Sequence, residues 1–312
     1  MNIKNVVVAG GGVLGSQIAF QSAFCGFNVT IWLRSEGSIE RTKPKLERLK
    51  DVYLNTLEQM KTDKSAYCRG FSDKEDLTIE EIDELKECTI KAYDGIKLTT
   101  SYEDAAADAD LVIEAIAEDP EQKISFYQEL AKHLPEKTIL VTNSSTMLPS
   151  SFAKYTGRPE KYLALHFANS IWSNNTAEIM GHSETQQKYY DEVVKFAEDI
   201  NMVPLKLKKE QPGYILNSML VPFLSAAEAL LANDVADHET IDKTWILATG
   251  APIGPFRILD IVGLTTAYNI VIMNPEAGDK NTTPGKIAAL LKEKIDEGKT
   301  GINAGEGFYK YT

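Results

Sequence analysis

The sequence predicts an α/β protein in which a doubly wound domain is followed by an all-helical one. Three observations carry this. A glycine-rich turn, Gly10-x-Gly12-x-x-Gly15, separates an apolar run from a helix-patterned stretch. Strand-like runs then alternate with amphipathic segments as far as residue 208, the pattern of a mostly parallel sheet covered on both faces. Beyond residue 208, helix-patterned segments follow one another with no strand pattern between them. The expected domains are therefore 1–208, Rossmann-type, and 209–312, helical.

The elements follow in order. "NVVVAG" reads as a buried strand ending in glycines, and "VLGSQIAFQSAFCG" as a helix stopped by Gly26. "NVTIWL" is the second strand, which completes a right-handed βαβ unit. Residues 38–90 are polar and read as two helices projecting from the sheet. "IKLTT" and "ADLVIEAI" are strands, "EQKISFYQELAKHL" a helix, and "TILVTNSS" and "KYLALHF" strands. "ETQQKYYDEVVKFAEDI" is an amphipathic helix, and "MVPLKL" closes the series. In the second domain, "GYILNSMLVPFLSAAEALLAN", "HETIDKTWILATG", "GPFRILDIVGLTTAYNIVIMN" and "PGKIAALLKEKIDEG" are helical. The first of these is apolar nearly all round, which places it in the domain core or in a subunit interface.

The turn specifies a ligand. The first glycine permits the tight bend, the second lets backbone approach a pyrophosphate, and the third lets helix and strand pack closely. Gly10, Gly12 and Gly15, with Val13 and Leu14 at the start of the helix, are the expected dinucleotide-binding residues. An acidic residue for the adenosine ribose is expected at the end of the second strand, and Leu33 stands there. Arg34 and Ser35 follow, and Arg41 and Lys43 add positive potential. A guanidinium fork and a hydroxyl suit a 2′-phosphate, so NADP is favoured over NAD.

Composition limits the partners. Thirty-three Lys and Arg against 45 Asp and Glu give a net charge of −12, which argues against nucleic acid or an anionic membrane. Three cysteines with no CxxC pair fit a reduced, cytoplasmic chain. No histidine pair has metal-ligand spacing, no metal is expected, and no leader or membrane span is expected either. His133, His182 and His238 lie in polar contexts and are expected at the surface.

"VAGGGVLGSQIA", "TNSST", "LHFAN", "TAEIM", "PGYILNSMLVPFLSAAEAL", "GAPIGPFRILDIVGL" and "GEGFYKY" occur in that order. Together they resemble the L-3-hydroxyacyl-CoA dehydrogenase family over nearly the whole chain, including its 3-hydroxybutyryl-CoA and L-gulonate dehydrogenase members. The resemblance implies a catalytic set of His166, Glu178, Ser145 and Asn217. It places Glu118, Lys123 and Asn143 with the cofactor, and Ser145, Asn169 and Asn217 with the substrate. It further implies a homodimer built by the helical domain and an active site between the domains. The chemistry agrees: oxidising a secondary alcohol needs a base near neutral pKa and a carboxylate to orient it.

The match also departs from the family. "HFANS" lacks the proline of "HFFNP". The positions of the family's CoA-contacting Ser and Lys fall on Leu49 and Thr56, with Lys50, Lys61 and Lys64 as possible substitutes. Asn303 stands where the family has a lysine, with Lys299 nearby. The implied substrate is a short-chain L-3-hydroxyacyl-CoA. A free 3-hydroxy acid is the alternative, and a non-catalytic dinucleotide sensor is a remote third reading.

Overall fold

The computed structural model describes residues 3–311. The expectation of no leader rests partly on the first two residues, and the domain limits at 1 and 312 also fall outside the described residues. The chain forms two compact units, divided between Ile215 and Leu216.

The first unit holds one sheet of eight strands in the order β3-β2-β1-β4-β5-β6-β7-β8. These are β1 (Asn5–Ala9), β2 (Asn28–Trp32), β3 (Lys97–Thr99), β4 (Leu111–Glu114), β5 (Ile139–Thr142), β6 (Tyr162–Phe167), β7 (Thr176–Met180) and β8 (Val203–Lys206). All neighbours are parallel except β6 and β7, which run antiparallel. Strands β4, β5 and β6 are buried at every residue, as two covered faces require.

Helix α1 (Val13–Phe24) follows the glycine turn and buries Ile18, Ala19, Phe20 and Phe24. Helices α2 (Glu36–Met60) and α3 (Ile79–Gly95) are the two expected helices. They do not simply project. Leu46, Leu49, Tyr53 and Leu57 of α2 and Ile82 and Ala92 of α3 share one apolar core with α1. Tyr53 packs edge-on against both Phe20 and Phe24, which explains why so polar a helix is held down. The short α4 (Tyr102–Ala106), then α5 (Pro120–Leu130) and α6 (Gln187–Asp199), complete the unit. Asp119 caps α5, accepting from Gln122 N at 2.8 Å, with Pro120 at the first helical position. Segment 209–215 folds with this unit, because Tyr214 is buried and Ile215 N donates to Glu178.

The second unit holds α7 (Leu216–Ala232), α8 (His238–Thr249), α9 (Pro255–Val262), α10 (Leu264–Val271) and α11 (Thr283–Asp296). The stretch 255–271, expected as one helix, is two. Gly263 takes φ +91° and breaks it, a conformation that favours glycine. Buried Asp260 accepts from Phe308 N at 2.7 Å, Tyr309 N at 2.9 Å and Tyr311 Oη at 2.8 Å, which ties the "GFYKY" segment to α9. Helix α7 buries Leu224, Ala227 and Glu228 within its unit and leaves Leu216, Met219 and Leu230 exposed. The expectation of surface histidines fails for His182. It is buried, and its Nε2–H donates to the Pro159 carbonyl at 3.0 Å.

Candidate active site

The glycine turn lies between the end of β1 and the start of α1. Gly10 has φ +121°, and a Cβ there would come within 2.4 Å of the Ala115 carbonyl oxygen. A Cβ on Gly15 would come within 2.2 Å of the Gly10 oxygen, so β1 and α1 pack at a distance that only glycine allows. A Cβ on Gly12 would meet nothing within 4 Å. Gly12 is also the N-cap of α1, and among the described residues no side chain caps that helix start. Its first N–H groups are therefore left to an anion. A cleft of about 280 Å³ runs from Gly12–Gly15 past Glu114, Glu118 and Lys123 to Asn143 and Ser145. Bare N–H groups, an open glycine face and this cleft fit a dinucleotide.

The floor of the cleft is a buried ion pair. Lys123 Nζ lies 2.6 Å from Glu114 Oε1 and 3.3 Å from Glu118 Oε2. Glu114 ends β4 and is fully buried. Its Oε2 accepts from Tyr127 Oη at 2.8 Å and Thr142 Oγ1 at 2.7 Å. Such a pair persists in the interior only when its remaining polar valences are met, and both oxygens of Glu114 are engaged here. Sequence reasoning found Lys123 and missed Glu114. A glutamate ending the apolar run "LVIE" was the available signal. Glu118 Oε1 accepts from Ser144 Oγ at 2.5 Å, Ser145 N at 3.1 Å, and Thr146 N and Oγ1 at 3.1 and 2.9 Å. Burial pushes the Glu118 carboxyl up, but those bonds and the Lys123 charge outweigh it and hold its pKa below the usual range.

The antiparallel register of β6 and β7 sets His166 directly opposite Glu178. His166 Nδ1 lies 3.0 Å from Glu178 Oε2, and both side chains are buried. Glu178 Oε1 accepts from Ile215 N at 2.8 Å. A carboxylate accepts, so Nδ1 donates to it, and in the neutral ring Nε2 is then the accepting nitrogen. Ser145 Oγ, in the loop after β5, lies 3.1 Å from that Nε2. Asn143 Oδ1 accepts from Phe167 N at 3.0 Å and ties the end of β5 to the end of β6. The result is a hydroxyl, an imidazole and a carboxylate linked in series, beside the cleft that Ser145 also lines.

The loop after His166 is pinned. Gln17 of α1 accepts from Ser170 N at 2.8 Å, and Trp172 O accepts from Gly70 N at 3.0 Å. Ser170 occupies the position of the missing proline, and its φ is +58°. Proline is locked near −65°, so this backbone excludes it. Asn169 is exposed in the same loop, and its carbonyl accepts from Asn174 Nδ2 at 2.8 Å. Asn217 belongs to the second unit, in the first turn of α7, and is half-buried. Lys299, also in that unit, pairs with Glu297 at 2.8 Å and Glu306 at 3.4 Å.

At the end of β2, Leu33 is buried, and Arg34 and Ser35 are exposed. Arg34 Nη1 donates to Gln122 Oε1 at 3.3 Å. Ser35 Oγ and Ser38 Oγ are 3.1 Å apart, and Arg41 Nη2 donates to Ser38 Oγ at 2.9 Å. Lys43 pairs with Glu40 at 2.7 Å. Lys45, which sequence reasoning passed over, reaches the turn and donates to the Gly11 carbonyl at 2.7 Å. Helical spacing from Arg41 (i, i+4) was the signal for it.

Comparison with known proteins decides the family. The 3-hydroxyacyl-CoA dehydrogenase NAD binding domain matches residues 5–211, and the C-terminal domain of the same family matches residues 213–311. The chain belongs to the 3-hydroxyacyl-CoA dehydrogenase family. It is an enzyme, a nicotinamide-dependent oxidoreductase. The mitochondrial hydroxyacyl-coenzyme A dehydrogenase of Homo sapiens is 31% identical over 309 residues, covering 99% of this chain and 91% of that one. The 3-hydroxybutyryl-CoA dehydrogenase of Clostridioides difficile is 28% identical over 98% of this chain and 99% of its own length. Among solved structures, a diketoreductase described as acting on dicarbonyl compounds is 47% identical, covers 100% of both chains and superposes with a TM-score of 0.85. Among the described residues, no helix of this dehydrogenase is long and apolar enough to cross a membrane.

Proposed function

We propose that the chain transfers a hydride reversibly between NADP(H) and the 3-hydroxyl or 3-oxo group of a small free acid or dicarbonyl. The observation that carries this is the Ser145–His166–Glu178 line, with steps of 3.1 and 3.0 Å. In oxidation, His166 Nε2 takes the substrate hydroxyl proton, and Glu178 stabilises the imidazolium that forms. In reduction, the same nitrogen returns the proton to the carbonyl oxygen, to which Ser145 Oγ also donates. Asn169 and Asn217 bind the rest of the substrate. The bound nicotinamide supplies or accepts the hydride. Gly10, Gly12, Val13, Leu14 and Gly15 hold its pyrophosphate, and Glu118, Lys123 and Asn143 its nicotinamide end.

Several contacts favour a free substrate over a CoA thioester. Leu49 is buried in the core, and Thr56 Oγ1 donates to the Val52 carbonyl. Of the lysines that could replace them, Lys50 lies over the Tyr93 ring at 4.4 Å and Lys61 pairs with Asp83 at 2.6 Å, while Lys64 sits in an exposed pair with Asp76. The family's own name supports the second reading, an L-3-hydroxyacyl-CoA of 3-hydroxybutyryl type. The NADP preference is supported by Leu33, which supplies no acceptor for a ribose hydroxyl, and by the cationic groups of Arg34, Arg41 and Lys45 on that side. Cytoplasmic placement and a homodimer belong to the same reading. The exposed Met219, Leu247 and Met273 of the helical unit support a subunit interface.

A two-by-two steady-state assay tests the reading, with NADH or NADPH against acetoacetyl-CoA or a free 3-oxo acid. The expected result is the highest kcat/KM for NADPH with the free acid. Turnover of the thioester alone would replace this reading with the second one.

A further inference from the structure

Tyr214 is the aromatic side chain against the His166 ring. The two rings lie 4.4 Å apart, centroid to centroid, with 15° between their planes. Tyr214 is buried and takes φ +55°, directly after Gly213 at +76°. A left-handed backbone is unfavourable for a bulky aromatic residue and persists only where the surroundings impose it. Three contacts result from this turn. The ring lies flat on His166, the next N–H (Ile215) donates to Glu178 Oε1 at 2.8 Å, and the Tyr214 hydroxyl donates to the Ser144 carbonyl at 2.7 Å. Ser144 precedes Ser145, and its own hydroxyl binds Glu118.

We infer that Tyr214 is a positioning residue for hydride transfer, its ring fixing the His166 imidazole and its hydroxyl fixing the Ser144–Ser145 turn. The inference rests on the reading of His166 as the acid–base group. The two tasks are separable. A phenylalanine keeps the stack and loses the bond to Ser144. The groups that face His166 are Glu178 from β7 at Nδ1, Ser145 from the loop after β5 at Nε2, and Tyr214 on the ring face, with Glu118 bonded to the Ser145 turn. A stacked aromatic face favours a neighbouring cation, so it favours the imidazolium. Burial, and then Glu118, Glu178 and Glu114, push the phenol up, so the hydroxyl stays a neutral donor across the working range.

The test compares full-length Tyr214→Leu and Tyr214→Phe with the wild type and with His166→Ala. The measurements are kcat/KM for alcohol oxidation against pH, cofactor Kd by fluorescence, and Tm. For Tyr214→Leu, kcat is expected to fall by roughly 30-fold or more, the scale of a misplaced catalytic group. The pH at which kcat/KM rises is expected to move down by roughly half a unit to one unit, with cofactor Kd within about twofold of wild type. For Tyr214→Phe, that pH is expected to stay in place and kcat to fall by about threefold to tenfold. A Leu variant with wild-type kcat and an unmoved pH limb overturns the inference. So does a Phe variant with unchanged kcat, which decides the matter if the Leu variant does not fold. An active His166→Ala would instead sink the acid–base reading itself.

Discussion

Glu178→Gln tests the orienting role of the carboxylate. Glu178 receives His166 Nδ1 at 3.0 Å and Ile215 N at 2.8 Å. A carboxylate serves two donors, whereas an amide offers one acceptor and one donor. If the amide oxygen faces Ile215 N, its NH₂ faces Nδ1. The imidazole must then place its proton on Nε2, the atom that has to accept the substrate proton. A base held in the wrong tautomer loses about 10⁴ in kcat, or ~5 kcal/mol of transition-state stabilisation at ~1.4 kcal/mol per tenfold. If the amide turns the other way, Ile215 N is left facing a donor inside the fold, at a cost of about 1–3 kcal/mol in stability. Either way, cofactor affinity is kept, because Glu178 is not among the groups lining the cofactor cleft. Steady-state kinetics, fluorescence titration with NADPH and a thermal melt together check this. A Glu178→Gln with kcat within tenfold of wild type and an unchanged Tm would refute the orienting role.

Three further outcomes are expected. Arg34→Ala should lower kcat/KM for NADPH by about 10–100-fold and leave NADH within about threefold, since one guanidinium is lost from the proposed 2′-phosphate site; equal losses with both cofactors would remove Arg34 from 2′-phosphate recognition. Ser170→Pro should destabilise the first unit by about 3 kcal/mol or more in denaturant unfolding, because φ +58° is closed to proline and the N–H to Gln17 is lost; Ser170→Gly should be nearly neutral, and equal stability of all three proteins would contradict the loop geometry. Glu228 is 2% exposed, its Oε1 has no hydrogen-bond partner among the described residues, and burial raises its pKa from 4.5 to about 7. Its folded pKa lies above its unfolded one, so its contribution is whole below pH ~4.5 and is lost as pH rises to ~7, on the order of 3 kcal/mol; Glu228→Gln should flatten that dependence, and an unchanged pH–stability curve would count against it.

Much of this was legible in the chain because short-range chemistry dictates it. The turn at Gly10–Gly15 admits only glycine where backbone meets backbone, and apolar runs of strand length specify a doubly covered sheet. His166 and Glu178 were legible as a pair through the family motifs, and the strand register then sets them face to face. Features made by distant segments were not legible. Tyr214 reaches His166 through two left-handed residues that no pattern announces. Glu114 reads as one polar residue at the end of an apolar strand until Lys123, Tyr127 and Thr142 close around it. The break at Gly263 was hidden because helical spacing continues on both sides of it. His182 looked solvated in "GHSET", but its ring folds back onto the Pro159 carbonyl.

The most direct test of the central claim is turnover by His166→Ala, with cofactor binding measured on the same sample. Removing the base and its imidazolium should cut kcat by about 10³-fold or more, with NADPH affinity within about twofold of wild type because the cofactor cleft is untouched. Turnover within about tenfold of wild type would contradict the account and take His166 out of the chemistry.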